Sequence, residues 1–65
     1  MTRTKIRISK KQVKELIEQF KQDPNYYVYE SKDYFYFSFL SREGKVLISI
    51  YEDAGKYYLQ IEMLD

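Results

Sequence analysis

An α+β fold of order β-α-β-β-β-β is predicted for this chain of 65 residues: a mostly antiparallel five-stranded sheet, its last four strands a meander, with one helix packed on one face. Three observations predict it. Val13, Leu16, Ile17 and Phe20 recur at spacings of three, four and seven, a single apolar stripe at helical period. Five other runs alternate apolar and polar side chains at the period of a strand, the clearest being Tyr34-Phe35-Tyr36-Phe37-Ser38-Phe39-Leu40. Between the helical stripe and four of those runs stands Asp23-Pro24-Asn25, which ends a helix because proline has no amide hydrogen and pushes its predecessor out of helical geometry.

The first strand is Thr4-Lys5-Ile6-Arg7-Ile8, with Ile6 and Ile8 inward and Lys5, Arg7 and the adjoining Arg3 outward. Ser9 offers an N-cap hydroxyl to the helix, but lysines at 10 and 11 oppose the helix dipole and no capping-box glutamate stands at position 12. Lys11 with Glu15 and Lys14 with Glu18 are spaced to pair on the solvent face. A helix of about 14 residues spans about 21 Å, close to the length of one strand, so the chain returns along it to begin strand two.

Strand two is Tyr26-Tyr27-Val28-Tyr29-Glu30. A three-residue loop, Ser31-Lys32-Asp33, sets Tyr29 opposite Phe35 and Tyr27 opposite Phe37, and keeps Glu30 off the core side. Tyr27 and Tyr29 are then inward, and Tyr26, Val28 and Glu30 outward. The next loop, Ser41-Arg42-Glu43-Gly44, sets Phe39 opposite Val46 and places Val46, Ile48 and Ile50 with the phenylalanines. Asp53-Ala54-Gly55 makes the last turn, of a length the sequence leaves open, into Lys56–Met63, whose inward row is Tyr57, Leu59, Ile61 and Met63. For strand one, an antiparallel place beside strand five is preferred over a parallel one beside strand two.

Length and composition exclude more than they specify. The chain is read as one domain, 1–65, near the lower limit for folding without disulfides or metal. It has no cysteine and no histidine, which removes thiol nucleophiles, the usual zinc ligand sets and the commonest general base. No metal and no cofactor is expected. Apolar runs fall far short of the roughly 20 residues of a membrane span, so a cytoplasmic protein without membrane contact is expected. Many Lys, Glu, Ile and Tyr residues point to a thermophilic source.

Net charge is +1, but residues 1–22 carry +5 and residues 51–65 carry −3. Opposite ends of that kind attract within a fold or between protomers, and the basic end offers an anion-binding surface. The carboxylate pairs Glu52/Asp53 and Glu18/Asp23 sit at turn or helix ends and read as solvated acids, and Gly44 and Gly55 are turn glycines rather than a phosphate cradle. Enzyme activity is not expected.

The outer sheet face carries the functional expectation. It collects Tyr34, Tyr36, Tyr51 and Tyr58 with Leu40, Leu47 and Val28, with no second helix to cover them. Three readings compete: a solvated aromatic ladder that stiffens the sheet, a docking face, and a base-stacking platform. As a docking face it makes the chain a small interaction module, binding a protein partner or a second copy of itself through Tyr34, Tyr36, Leu47, Tyr51 and Tyr58. As a stacking platform it binds single-stranded nucleic acid, with Arg3, Lys5 and Arg7 on the same side and Glu30 and Glu62 against it. The Lys/Arg-Gly-Phe/Tyr-Gly/Ala-Phe-Val pattern of RRM domains is missing. The opening strand and helix, Lys5 to Phe20, resemble the start of ribbon-helix-helix repressors, whose basic strand reads the major groove; where that family needs a second helix, this chain has proline and tyrosines, so the resemblance ends there.

Overall fold

A computed structural model describes residues 2–64. The elements are β1 (Thr2–Ile8), α1 (Lys10–Gln22), β2 (Tyr26–Glu30), β3 (Tyr36–Ser41), β4 (Val46–Asp53) and β5 (Lys56–Met63). They form one sheet in the order β1-β5-β4-β3-β2, every pair antiparallel, with α1 between β1 and β2 in sequence. This is the expected α+β architecture, including the antiparallel place of β1 beside β5.

Helix α1 starts at Ser9, whose hydroxyl accepts from the Gln12 amide at 3.2 Å while the Gln12 side chain accepts from the Ser9 amide at 2.9 Å. Glutamine thus completes the capping box in place of a glutamate, because its amide oxygen reaches the same N–H. Ser9→Ala is expected to lower stability by about 1 kcal/mol in a urea titration. Val13 and Ile17 are buried, Leu16 and Phe20 half-buried, as the stripe requires. At its other end, the Asp23 amide donates to the Phe20 carbonyl and the chain leaves the helix. Among the described residues no close ion pair joins Lys11 to Glu15 or Lys14 to Glu18.

The core joins Val13 and Ile17 to Ile8, Phe37, Phe39, Ile48 and Ile50, with Phe39 and Ile50 fully buried. The phenylalanine row and the β-branched row therefore share the face under the helix. Their register differs from the expected one: Phe39 lies opposite Ile48 and Phe37 opposite Ile50, two residues from the pairing with Val46. A shift of two preserves every face. The loop is Arg42–Lys45, closed by the Ser41 hydroxyl, which accepts from the amides of Lys45 and Val46 at 3.1 Å each. At its centre Gly44 takes a φ of 75°.

The β2–β3 hairpin is where the structure overturns the sequence reading. Glu30 pairs with Phe37, Val28 with Phe39 and Tyr27 with Leu40, a displacement of three residues from the expected register, and an odd displacement exchanges the faces. Tyr27 and Tyr29 point outward, while Tyr26, Val28 and Glu30 take the inner side. Strand β3 also begins at Tyr36 rather than Tyr34, the turn being Lys32–Phe35 with the Ser31 amide on the Tyr36 carbonyl. Packing supplies the reason. The Phe20 ring stacks on Phe39 at 5.0 Å and meets Tyr26 edge-on at 5.3 Å, so the place across from Phe39 takes Val28 and would not take a tyrosine.

The inward Glu30 is tolerated because it stands on an edge strand at the helix end. Its side chain is 54% exposed and lies 3.3 Å from the Lys21 ammonium, which also sits over the Phe37 ring. A half-exposed pair contributes about 0–1 kcal/mol, but the desolvation that would penalise a buried carboxylate is avoided.

The β4–β5 connection is a two-residue turn, Ala54-Gly55, between the paired Asp53 and Lys56. Both central residues have positive φ, 53° and 78°, the pattern of a type I′ hairpin turn, which asparagine-glycine suits best. Ala54 bears the strain of that geometry, so Ala54→Asn is expected to raise stability by about 0.5–1 kcal/mol in thermal unfolding. One helix does not cover the whole inner face: Ile6, Val28 and Met63 stay exposed at its margins, and Tyr26 and Tyr57, rather than Tyr27 and Tyr29, help close the core.

Candidate functional site

The pairing of the strands arranges the outer face in three transverse rows. The first runs Arg7, Tyr58, Tyr51, Tyr36 across β1, β5, β4 and β3; the second Lys5, Gln60, Ser49, Ser38 and on to Tyr29 of β2; the third Arg3, Glu62, Leu47, Leu40 and on to Tyr27. Aromatic, small polar and aliphatic bands thus lie side by side, with the basic residues of β1 at one edge. The alternation of each strand puts them there, and the core residues of the opposite face hold the sheet that carries them.

Within the first row the rings touch in sequence. Tyr36 and Tyr51 are stacked at 6.1 Å, Tyr51 and Tyr58 lie tilted at 5.8 Å, and Tyr34 meets Tyr36 edge-on at 5.9 Å from the turn before β3. Their hydroxyls engage the middle row: Tyr36 shares a hydrogen bond with the buried Ser49 at 3.3 Å, and Tyr51 donates to Gln60 at 3.5 Å. The Lys5 ammonium sits over Tyr58 and Tyr51, 4.5 and 5.7 Å from the two ring centres. Each such contact is worth about 0.5–1 kcal/mol at an exposed site. The ladder is therefore part of the sheet's own stability as well as its surface.

Tyr34, Tyr36, Leu47, Tyr51 and Tyr58 are brought to one side of the sheet, as expected, with Tyr34 standing outside β3 at its rim. Val28 is not among them. The face gains Tyr27 and Tyr29, both largely exposed, which the sequence reading placed in the core. The sequence signal for the four-residue β2–β3 loop is the small β-branched Val28 between two tyrosines, the residue fit to lie against Phe39.

The same correction changes the charge of the face. Glu30 leaves it, so Glu62 is the one carboxylate in the three rows, and Arg3 lies 3.5 Å from it. Opposite the basic edge, the Arg42 guanidinium lies over Tyr27 at 4.7 Å and is fixed there by the Pro24 carbonyl, to which its Nε donates. Cations thus flank the tyrosines from both edges.

Glu52 and Asp53 are exposed at the end of β4, and the Asp23 carboxylate accepts the Asn25 amide at 2.9 Å as a turn-forming group. Among the described residues no group of three or more His, Cys, Asp or Glu stands together as a metal site, and no helix is long and apolar enough to cross a membrane. Comparison with family models, with curated proteins and with solved structures found no match.

Proposed function

We propose that this chain is a small non-enzymatic interaction module that binds a protein partner, a second copy of itself included, through the tyrosine-rich outer face of its sheet. The observation that carries the reading is the face itself: Tyr27, Tyr29, Tyr36, Tyr51 and Tyr58 lie with Leu40 and Leu47 on one side of a sheet whose only described helix packs on the other. Tyrosine on a rigid scaffold gives large contact area at little cost in side-chain entropy, and it is the typical anchor of a protein interface. The ring faces of Tyr51 and Tyr58 already carry Lys5, and Tyr36 already stacks on Tyr51. That favours a partner that covers the face over one that slides bases between the rings.

One observation favours a second reading, single-stranded nucleic acid. With Glu30 on the other face, Arg3, Lys5, Arg7 and Arg42 flank tyrosines of which Tyr29 and Tyr34 keep exposed rings. A cationic track beside aromatic platforms is the chemistry such a ligand needs.

Two measurements separate the readings. Sedimentation and affinity capture with the tagged chain should show an interaction that Tyr27→Ala/Tyr29→Ala weakens and that a charge change on the exposed helix surface, Lys11→Glu, leaves intact. Fluorescence titration with mixed-sequence oligonucleotides at low salt should show no binding, and a titratable complex that dissolves as salt rises would transfer the face to the second reading.

A further inference from the structure

The sheet face under the helix holds a second candidate site, separate from the tyrosines of the outer face. Helical spacing sets Lys10, Lys14 and Glu18 in one ridge of α1 and Val13 and Ile17 in the next. Across from them stand Phe35 and Tyr57, edge-on to each other at 5.4 Å, and between the helix and these rings lies an open apolar groove of about 290 Å³. Along the groove the helix therefore presents Lys10 and Lys14 and, at the far end, Glu18. The first turn of α1 carries no acid to offset that charge, and among the described residues neither lysine is in a close ion pair.

We propose that this groove binds a small amphipathic carboxylate, its alkyl or aryl tail lying along Val13, Ile17 and Phe35 and its carboxylate held at Lys10 and Lys14. The volume is at the low end of the roughly 300–1,000 Å³ of small-molecule sites, enough for one tail and too little for a helix. Apolar walls with charged groups at one end are the usual arrangement of such sites, the walls giving affinity and the charge giving direction. Glu18 at the far end opposes the reversed pose, because it would stand beside the ligand's own carboxylate.

Amide and methyl NMR shifts of the chain, followed during titration with decanoate, test this. The expected result is saturable change centred on Val13, Ile17, Phe35 and Tyr57, and no comparable change with decyltrimethylammonium, which has the same tail and the opposite charge. Lys10→Glu/Lys14→Gln alters two exposed side chains and leaves the apolar walls intact; it should weaken decanoate by about tenfold, the sum of two partly exposed charge contacts. Equal binding of the two amphiphiles, an unchanged affinity in the double variant, shifts centred on Tyr36 and Leu47, or no saturable response would each overturn the proposal. Tighter binding of an acidic peptide with a phenylalanine anchor would overturn the choice of a small ligand.

Discussion

Phe39→Ala is expected to leave the domain largely unfolded near body temperature. Phe39 is fully buried at the centre of the sheet, paired with Val28 on one side and Ile48 on the other, and the Phe20 ring of the helix stacks on it at 5.0 Å. Truncating such a side chain costs about 3–5 kcal/mol, because the transfer energy of the ring is lost and a cavity stays behind. A chain of this size holds a total of roughly 3–10 kcal/mol, so the loss is a large part of the whole. Circular dichroism should show a melting temperature lowered by at least ~12 °C, given about 4–8 °C per kcal/mol for small domains. Phe39→Leu, which refills most of the space, should cost under about 1.5 kcal/mol. If Phe39→Ala melts within a few degrees of the parent, the helix does not pack on this face as described.

Which parts of this structure were legible in the sequence follows from what each hairpin has to decide. The helix was legible because Val13, Leu16, Ile17 and Phe20 form one stripe and Pro24 ends it. The faces of β4 and β5 were legible because the rows Ile48–Ile50 and Leu59–Ile61 are apolar while Ser49, Gln60 and Glu62 are not. Strand β2 offers no such contrast. Tyr27 and Tyr29 suit a core or a surface equally well, since tyrosine joins an apolar ring to a hydroxyl that tolerates water, and Glu30 alone set the register. That one charge proved misleading, for the edge of the sheet and Lys21 lie where the sequence shows only an inward carboxylate. The outer site was accordingly legible in its central strands, Tyr36, Tyr51, Leu47 and Tyr58, and misread at its β2 edge, where a three-residue displacement traded Val28 and Glu30 for two exposed tyrosines.

That trade makes the sharpest functional test. Tyr27→Ala/Tyr29→Ala is expected to leave stability within about 0.5 kcal/mol per substitution, because both side chains point away from the core; in the register expected from the sequence the same pair would have gutted the inner face and unfolded the chain. Binding should respond far more strongly than stability. Anchor tyrosines of protein interfaces cost 2 kcal/mol or more on truncation, about 30-fold in Kd each, and this pair is the most accessible aromatic area in the three rows. Removing Tyr27 also takes the ring from under Arg42, so the β2 edge loses its cation–π contact together with its contact area. By contrast Lys5→Gln should reduce binding only several-fold for a protein partner, since it strips a cover from Tyr51 and Tyr58 without removing the rings, and should act mainly on the association rate and its salt dependence. For a nucleic-acid ligand the order reverses: charge at the β1 edge dominates, and Lys5→Gln/Arg7→Gln lowers affinity and flattens its salt dependence by about two phosphate contacts. The ratio of the two effects, measured on folded variants, therefore distinguishes a tyrosine-anchored protein interface from a charge-anchored strand, and a variant lacking Tyr27 and Tyr29 that binds its partner unchanged would remove the face from the function altogether.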